Sequence, residues 1–129
     1  MATTIHIRSY HLDGYGHVNN ARYLEFLEDA RWAWFEAGGL LPLLGDTKLV
    51  VARIDIRYRR SATEGDRLDI HSRLSDIQPR RLQVSQSIIL QSSGKVCVEA
   101  EVSLMPVLNG RAVSLSPELQ QQLTLLPTP

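Results

Sequence analysis

Residues 10–28 read YHLDGYGHVNNARYLEFLE, and within them the pattern changes from loop to helix. The first half includes Asp13, Gly14, Gly16 and His17. From Asn20 onward, apolar residues recur at the spacing of an amphipathic helix. One apolar stripe consists of Tyr23, Leu27, Ala30 and Trp34, and its neighbour of Leu24, Glu28, Arg31 and Phe35. Gly38-Gly39 is typical of a helix C-cap. The sequence therefore predicts one long helix, from about Asn20 to Gly38, with a broad covered face.

Most of the remaining chain alternates between polar and apolar residues, which is the pattern of half-buried β-strands. The predicted strands cover residues 4–8, 49–59, 67–74, 81–91, 95–105 and 111–114. Asn109-Gly110 predicts a tight hairpin before the last of them. Ser116-Pro117-Glu118 predicts the start of a short C-terminal helix. The long strands and the single wide apolar helix together predict an α+β fold, in which an antiparallel curved sheet of five or six strands wraps around one helix.

Length and composition set outer limits on what the chain does. Its 129 residues, without repeats or linkers, predict a single domain over 1–129. Lys plus Arg equals Asp plus Glu at 14 each, which argues against a nucleic-acid partner. Cys97 is the only cysteine, so no internal disulfide forms; we expect it to point away from the Val96/Val98 face and to be structural. No run approaches the ~18 apolar residues of a membrane span, so we expect no membrane insertion and a cytoplasmic location.

Asp13 lies seven residues before the predicted helix start at Asn20. The first N–H groups of a helix lack partners and carry roughly half a positive charge. These N–H groups could stabilise a developing oxyanion, with the carboxylate as the reacting group beside them. Asp13 could equally hydrogen-bond the backbone of its own loop. Asn19 and Asn20 are both candidates for the N-cap. From the residues alone, a reaction site and a structural loop both remain open.

The same stretch resembles the signature of hotdog-fold acyl-CoA thioesterases, in the branch that includes 4-hydroxybenzoyl-CoA thioesterase. The matching residues are Asp13, Gly16-His17-Val18-Asn19-Asn20, Tyr23, Leu24, Glu28, Ala30 and Arg31. The similarity is strongest to the FadM-type bacterial long-chain acyl-CoA thioesterases, in which 10–32 and Tyr58-Arg59-Arg60 recur almost as they stand here. The strand order extends the resemblance over nearly the whole chain, with departures at 79–81 and after Ser114.

This resemblance implies a hotdog fold and active sites at the subunit interface of a homodimer or homotetramer. It implies an acyl-CoA substrate and neither a metal nor a prosthetic cofactor. The predicted function is hydrolysis of acyl-CoA, with medium- to long-chain fatty acyl groups favoured, to the free acid and coenzyme A. The alternatives are a thioesterase acting on acyl carrier protein or a polyketide intermediate, and a non-catalytic protein that binds acyl thioesters.

Residue by residue, the resemblance assigns the catalytic carboxylate to Asp13, which either attacks the thioester or draws a proton from water. It assigns the N–H that polarises the thioester carbonyl to Asn20. His17 is a third candidate catalytic residue, with a purely structural role as its alternative. The candidate substrate-binding residues are Gly16, Tyr23, Arg59 and Arg60.

Other charged residues have two interpretations each. Arginine binds phosphate in a planar, paired fashion, so several arginines are candidates for contact with coenzyme A. They are Arg57, Arg59, Arg60, Arg80 and Arg81, and the alternative is a solvated charged face. Glu28 and Arg31, three residues apart on the helix, predict a structural ion pair. Glu28 is also the reserve candidate for a catalytic carboxylate. Tyr23 and its apolar neighbours are expected in the core or along the wall of an acyl tunnel.

Overall fold

The computed structural model describes residues 2–126, so Met1 and 127–129 of the predicted domain lie outside the described residues. The strands are β1 (Thr3–His6), β2 (Lys48–Tyr58), β3 (Arg67–Gln78), β4 (Arg81–Leu90), β5 (Val96–Leu108) and β6 (Arg111–Ala112). The helices are α1 (Asn20–Ala37), α2 (Leu40–Leu44) and α3 (Pro117–Thr124), with a 3₁₀ turn at Ser9–His11. The predicted order of one strand, a long helix and then antiparallel strands is confirmed, and α2 is an addition to it.

All strand pairs of the sheet are antiparallel, in the order β1-β3-β4-β5-β2, with β6 on the end of β5. β3 continues past its predicted end at Leu74 because a bulge lies between Leu74 and Asp76. The extra residue shifts the alternation by one position, so that Ile77 packs against the core. β2 pairs with β5 on one side only, and its other edge has no strand partner among residues 2–126.

The core lies between α1 and the inner face of the curled sheet. The first predicted helix stripe is confirmed, since all four of its residues are buried. The second stripe divides: Arg31 and Phe35 are buried, whereas Leu24 and Glu28 are exposed. Phe26, in neither predicted stripe, is buried because the loop before α1 folds over it, with the His11 ring edge-on at 5.2 Å between centroids.

Two further bulges, in β5 and β2, change which side chains face inward. In β5 the pairing shifts between Ile88 and Ile89 of β4, which leaves Cys97 as the extra residue. Cys97 and Val98 are both fully buried in the core, so the prediction that Cys97 points away from Val98 is wrong. Burial raises the pKa of the Cys97 thiol and so favours its protonated form. A second shift between Val51 and Arg53 leaves Ala52 exposed, although alternation predicted it inward.

His11 is expected to make folding stability depend on pH. Its Nδ1 accepts the N–H of Arg8 at 2.8 Å, and burial, aided by Arg22, lowers the pKa of its imidazole. The unfolded chain therefore takes up this proton first as pH falls. The stability contribution is complete above the ordinary pKa of about 6.5 and is lost as pH falls through the lower folded-state pKa. We expect the urea midpoint to fall on acidification below pH 6.5, and to fall less in His11→Asn, whose side-chain oxygen can still accept the Arg8 N–H. Equal pH slopes in both proteins would contradict this role.

Candidate active site

The loop that carries Asp13 is closed by hydrogen bonds over a very short stretch of chain. Leu12 and Val18 form an isolated antiparallel bridge, and the Asp13 N–H donates to the His17 carbonyl at 2.7 Å. Gly16 has a φ of 79°, a conformation in which a side chain would be strained. Its N–H donates to the Asp13 carbonyl at 3.1 Å. The predicted loop is thus a tight, defined turn that ends directly before α1.

The Asp13 carboxylate takes part in this turn through one of its two oxygens. Oδ1 accepts the N–H of Tyr15 at 2.8 Å and the N–H of His17 at 3.3 Å. Oδ2 makes no hydrogen bond with any residue in the range 2–126, and the side chain is exposed. Asp13 therefore has the structural role that the sequence allowed, as a hydrogen-bond acceptor for the backbone of its own loop. This role occupies one oxygen and leaves the second available to a ligand.

The first turn of α1 shows which asparagine is the cap. Asn19 is the N-cap: its side-chain oxygen accepts the Ala21 N–H at 3.0 Å, and its carbonyl accepts the Arg22 N–H at 2.9 Å. Asn20 is the first helical residue, and its N–H has no protein acceptor within the described chain. The Tyr58 hydroxyl donates to the Asn20 carbonyl at 3.2 Å, which ties the end of β2 to this turn. An open N–H donor thus remains at the positive end of the helix.

A cavity of about 280 Å³ opens between this loop, the first turn of α1 and the end of β2. Its lining consists of Asp13, His17, Val18, Asn20, Tyr23, Tyr58, Arg59, Arg60 and Ser61. It brings together all the predicted site residues except Gly16, whose carbonyl instead accepts the Thr63 hydroxyl at 2.8 Å. Tyr58 and Ser61 were not predicted as site residues. Their position in the sequence, on either side of Arg59 and Arg60, was the signal that could have identified them.

The candidate arginines differ in their partners. Arg59 donates twice to one oxygen of Glu99, at 2.8 and 3.1 Å, and both side chains are about half exposed. Arg81 pairs with Asp76 at 2.8 Å. Arg60 lines the cavity and has no ion pair with the residues that the structure describes, which leaves its guanidinium available to an anionic ligand. Of the remaining two, Arg57 lines an open cavity on the outer face of the sheet and Arg80 is exposed in the β3–β4 turn.

Tyr23 lines the cavity but also has a structural bond. Its side chain is 3% exposed, and its hydroxyl accepts the N–H of the buried Ala62 at 3.0 Å. Burial raises the pKa of the Tyr23 phenol, so it remains neutral.

Replacing Tyr23 with phenylalanine should therefore affect folding more than turnover. The Ala62 N–H would lose its acceptor, and a buried donor without a partner costs about 1–3 kcal/mol. Urea denaturation should show that loss in the free energy of unfolding. In contrast, kcat, measured well below the unfolding transition, should change less than about tenfold. An unchanged urea midpoint together with a large loss of kcat would contradict this assignment.

Glu28 and Arg31 do not form the predicted ion pair. Arg31 of α1 is 6% exposed. Its side chain lies between the helix and the sheet, where Nη1 donates to Gln86 Oε1 at 3.0 Å. Glu28 stays on the exposed side of the helix, and no ion pair joins the two in the described structure. The prediction is wrong because a buried amide on β4 supplies the acceptor. Glu28 also lies outside the cavity that contains Asp13, and it lines a second cavity farther along α1.

Gln86 and Ser72 are buried polar residues that sequence reasoning missed. Gln86 Nε2 donates to the Leu27 carbonyl at 3.1 Å and to the Ser72 hydroxyl at 3.0 Å. Its Oε1 accepts the hydrogen bond from Arg31 Nη1. Both residues occupy inward positions of their strands. A polar residue at an inward strand position was the signal that could have identified them.

Two kinds of feature are absent from residues 2–126. No helix there is long and apolar enough to cross a membrane. No group of three or more His, Cys, Asp or Glu side chains in that part of the chain is placed to hold a metal ion.

A curled antiparallel sheet around one long helix is the architecture of the hotdog thioesterases, which confirms the predicted fold class. Residues 7–123 match the family model of the Thioesterase-like superfamily, and the chain belongs to this family of thioester hydrolases. It is 39% identical over 127 residues to the long-chain acyl-CoA thioesterase FadM of Escherichia coli strain K12, covering 95% of this chain and 96% of that protein.

Solved structures agree with the sequence comparison. The crystal structure of YbaW, a probable thioesterase from Escherichia coli, superposes with a TM-score of 0.91 at 38% identity, over 98% of each chain. A thioesterase from Thermus thermophilus, solved with coenzyme A and Zn, superposes with a TM-score of 0.84 at 25% identity, over 97% of this chain and 92% of that one.

Proposed function

We propose that this protein hydrolyses acyl-CoA thioesters, with medium- to long-chain fatty acyl-CoA as substrates. The observation that carries the proposal is the cavity in which the Asp13 carboxylate and the open first turn of α1 share one wall. The E. coli relative named as a long-chain acyl-CoA thioesterase supports the substrate class. The Thermus thioesterase solved with coenzyme A supports the carrier.

Hydrolysis of a thioester develops negative charge on the carbonyl oxygen. In the proposed complex, that oxygen faces the Asn20 N–H, where the helix dipole also favours negative charge. The Tyr58 hydroxyl bond to the Asn20 carbonyl helps hold the peptide of this first turn in place. The loss of one donor of an oxyanion hole typically costs about 10²–10³ in kcat, so this N–H is a substantial part of the proposed catalysis.

Asp13 supplies the other half of the reaction by one of two routes. As a general base, it takes a proton from water while the water oxygen adds to the carbonyl, and coenzyme A leaves as its thiol. As a nucleophile, it displaces the thiolate to form an acyl–aspartyl anhydride, which water then hydrolyses. A single turnover in H₂¹⁸O tests for the nucleophilic route, since ¹⁸O enters the Asp13 peptide only when water attacks the aspartyl carbonyl of the anhydride. The free Oδ2 serves either route.

Arg60 and His17 have supporting roles in this proposal. The unpaired guanidinium of Arg60, at the cavity rim, is suited to a phosphate of coenzyme A. Arg59 would have to break its ion pair with Glu99 before it could bind such a phosphate. His17 holds Oδ1 of Asp13 through its backbone N–H, which leaves its imidazole facing the cavity as a polar group.

The proposed assembly is a homodimer formed through β2, or a homotetramer built from two such dimers. β2 is an 11-residue strand, and an edge that pairs with no strand of residues 2–126 is a site for pairing with a second chain. Exposed Val50, Val51 and Tyr58 lie on this strand, and exposed Leu24 and Trp32 lie on α1. A partner at this edge would close the cavity next to Tyr58, so we propose interface active sites in a cytoplasmic oligomer. Light scattering after size-exclusion chromatography tests the assembly.

The test of function is thiol release by purified protein from acyl-CoAs of increasing chain length, alongside the same acyl groups on acyl carrier protein. We expect turnover with coenzyme A thioesters and a preference for the longer chains. Faster thiol release from acyl carrier protein would show that the carrier protein, and not coenzyme A, carries the substrate. Stoichiometric binding without thiol release would instead favour a binding protein on the same scaffold.

A further inference from the structure

A second cavity, of about 490 Å³, lies between the second half of α1, α2 and the first half of β2. Its walls are mostly apolar, and prominent among them are Trp32, Phe35, Leu41, Leu44, Leu49 and Leu104. It does not include Asp13 or the helix start. The volume and lining suit a flexible hydrocarbon group.

The two cavities lie at opposite ends of one surface between α1 and β2. At one end the Tyr58 hydroxyl meets the Asn20 carbonyl, and at the other Arg31 and Phe35 face Val50 and Val51. Helix and strand therefore run in opposite directions along this surface. Arg31 follows Asn20 by 11 residues on the same helix, which is about 16 Å along the axis at 1.5 Å per residue. A chain extending from the catalytic cavity would reach Arg31 only with its distal part.

Arg31 brings unused hydrogen-bond donors to this apolar cavity. Its guanidinium has five N–H donors, and Gln86 accepts from Nη1. Within residues 2–126, no fully buried side-chain nitrogen or oxygen lacks a partner. Nε and Nη2 of Arg31, which bond no described residue, therefore keep some accessible surface although the residue is only 6% exposed. Arg31 is one of the residues that line the cavity.

The charges around the cavity indicate what kind of group these donors need. Glu28 lines the same cavity and attracts the Arg31 guanidinium electrostatically, and Lys48 lies at the β2 side. Glu28 already balances the charge of the Arg31 guanidinium, so the occupant need not supply a carboxylate. What the guanidinium lacks is a hydrogen-bond acceptor, and a plain hydrocarbon would leave its donors without one.

We propose that this cavity receives the distal part of the acyl chain and that Arg31 selects chains bearing a neutral oxygen, a hydroxyl or keto group, in that distal part. The inference rests on the proposed hydrolysis of acyl thioesters and adds a specificity-determining residue to it. A site built to hydrogen-bond a substrate oxygen discriminates against the analogue that lacks it.

The test compares kcat/KM for pairs of long-chain acyl-CoAs of equal length, with and without a hydroxyl in the distal half. One charged hydrogen bond predicts a preference of about 10- to 100-fold for the hydroxylated member. Arg31→Met should reduce that preference to about twofold or less. The matched control is Arg73→Met on the outer face of the sheet, which should retain the full preference.

Two further measurements keep the inference separate from the proposed reaction and from folding. Calorimetric binding of free hydroxylated and plain fatty acids tests the preference even if no thioester is hydrolysed. Should Arg31→Met fail to fold, Arg31→Lys keeps the charge without the forked donors and should lose most of the preference. Equal use and equal binding of the two chains by the unmodified protein would overturn the inference, as would a preference that survives in a folded Arg31 variant.

Discussion

Asp13→Asn is expected to lower kcat/KM for acyl-CoA hydrolysis by about 10²–10⁴-fold, the range of a general acid–base contribution. Asparagine removes the charge and basicity of the carboxylate but keeps a side-chain oxygen where Oδ1 accepts the Tyr15 and His17 N–H groups. The loop should therefore stay folded while the reacting group is lost. Thiol release over a range of substrate concentrations measures the effect.

The choice of variant matters because Asp13 has a structural role in its loop beside the proposed catalytic one. Asp13→Ala would remove the loop acceptor together with the reacting oxygen, so a loss of activity would not separate them. The matched control is Asp29→Asn, which removes one carboxylate from the exposed face of α1. It should retain normal turnover. Near-normal turnover by Asp13→Asn, with urea midpoints equal to the unmodified protein, would remove Asp13 from the mechanism.

Gln86→Leu should lower the free energy of unfolding by about 3 kcal/mol, because each buried donor or acceptor left without its partner costs about 1–3 kcal/mol and Gln86 serves three of them. Leucine fills a similar volume, but it cannot accept a hydrogen bond from Arg31. It also cannot donate one to the Leu27 carbonyl or the Ser72 hydroxyl. Urea denaturation gives the free energy of unfolding directly.

The same substitution on the same strand provides the control. Gln83→Leu removes an amide that bonds the exposed Glu101 at 3.0 Å, so it should cost less than about 1 kcal/mol. If both variants lose the same free energy, the buried network centred on Gln86 contributes no more than a surface bond.

Periodicity predicted the elements well where it was regular. The first stripe of α1 is buried as expected, and the strands follow their alternation until a bulge intervenes. Bulges at Ala52, Ser75 and Cys97 could not be predicted from the local sequence. A bulge depends on how a strand pairs with its neighbour, and the sequence of one strand does not specify that pairing. Cys97 was placed on the wrong face for this reason.

The candidate site was predictable to a different degree. Asp13, His17 and Asn20 could be assigned together because they lie close in the chain and match a family motif, and they do line one cavity. The partner of Arg31 could not be found in the same way. Gln86 is 55 residues distant, and an exposed carboxylate three residues away on the helix was the stronger local candidate. Burial decided between them.

The turn from Leu12 to Val18 has a consequence for how such proteins diversify. The bonds within it join residues at most six positions apart, and the cap that follows is equally local, while Thr63 and Ala62 attach the turn to the rest of the chain. The proposed reacting oxygen and the proposed carbonyl-binding N–H thus lie within eight consecutive residues, 13–20. The walls of the second cavity come instead from α1, α2, β2 and β5. If the second cavity receives the chain as proposed, substitutions in those walls would change which chain is accepted and would leave the proposed catalytic residues in place.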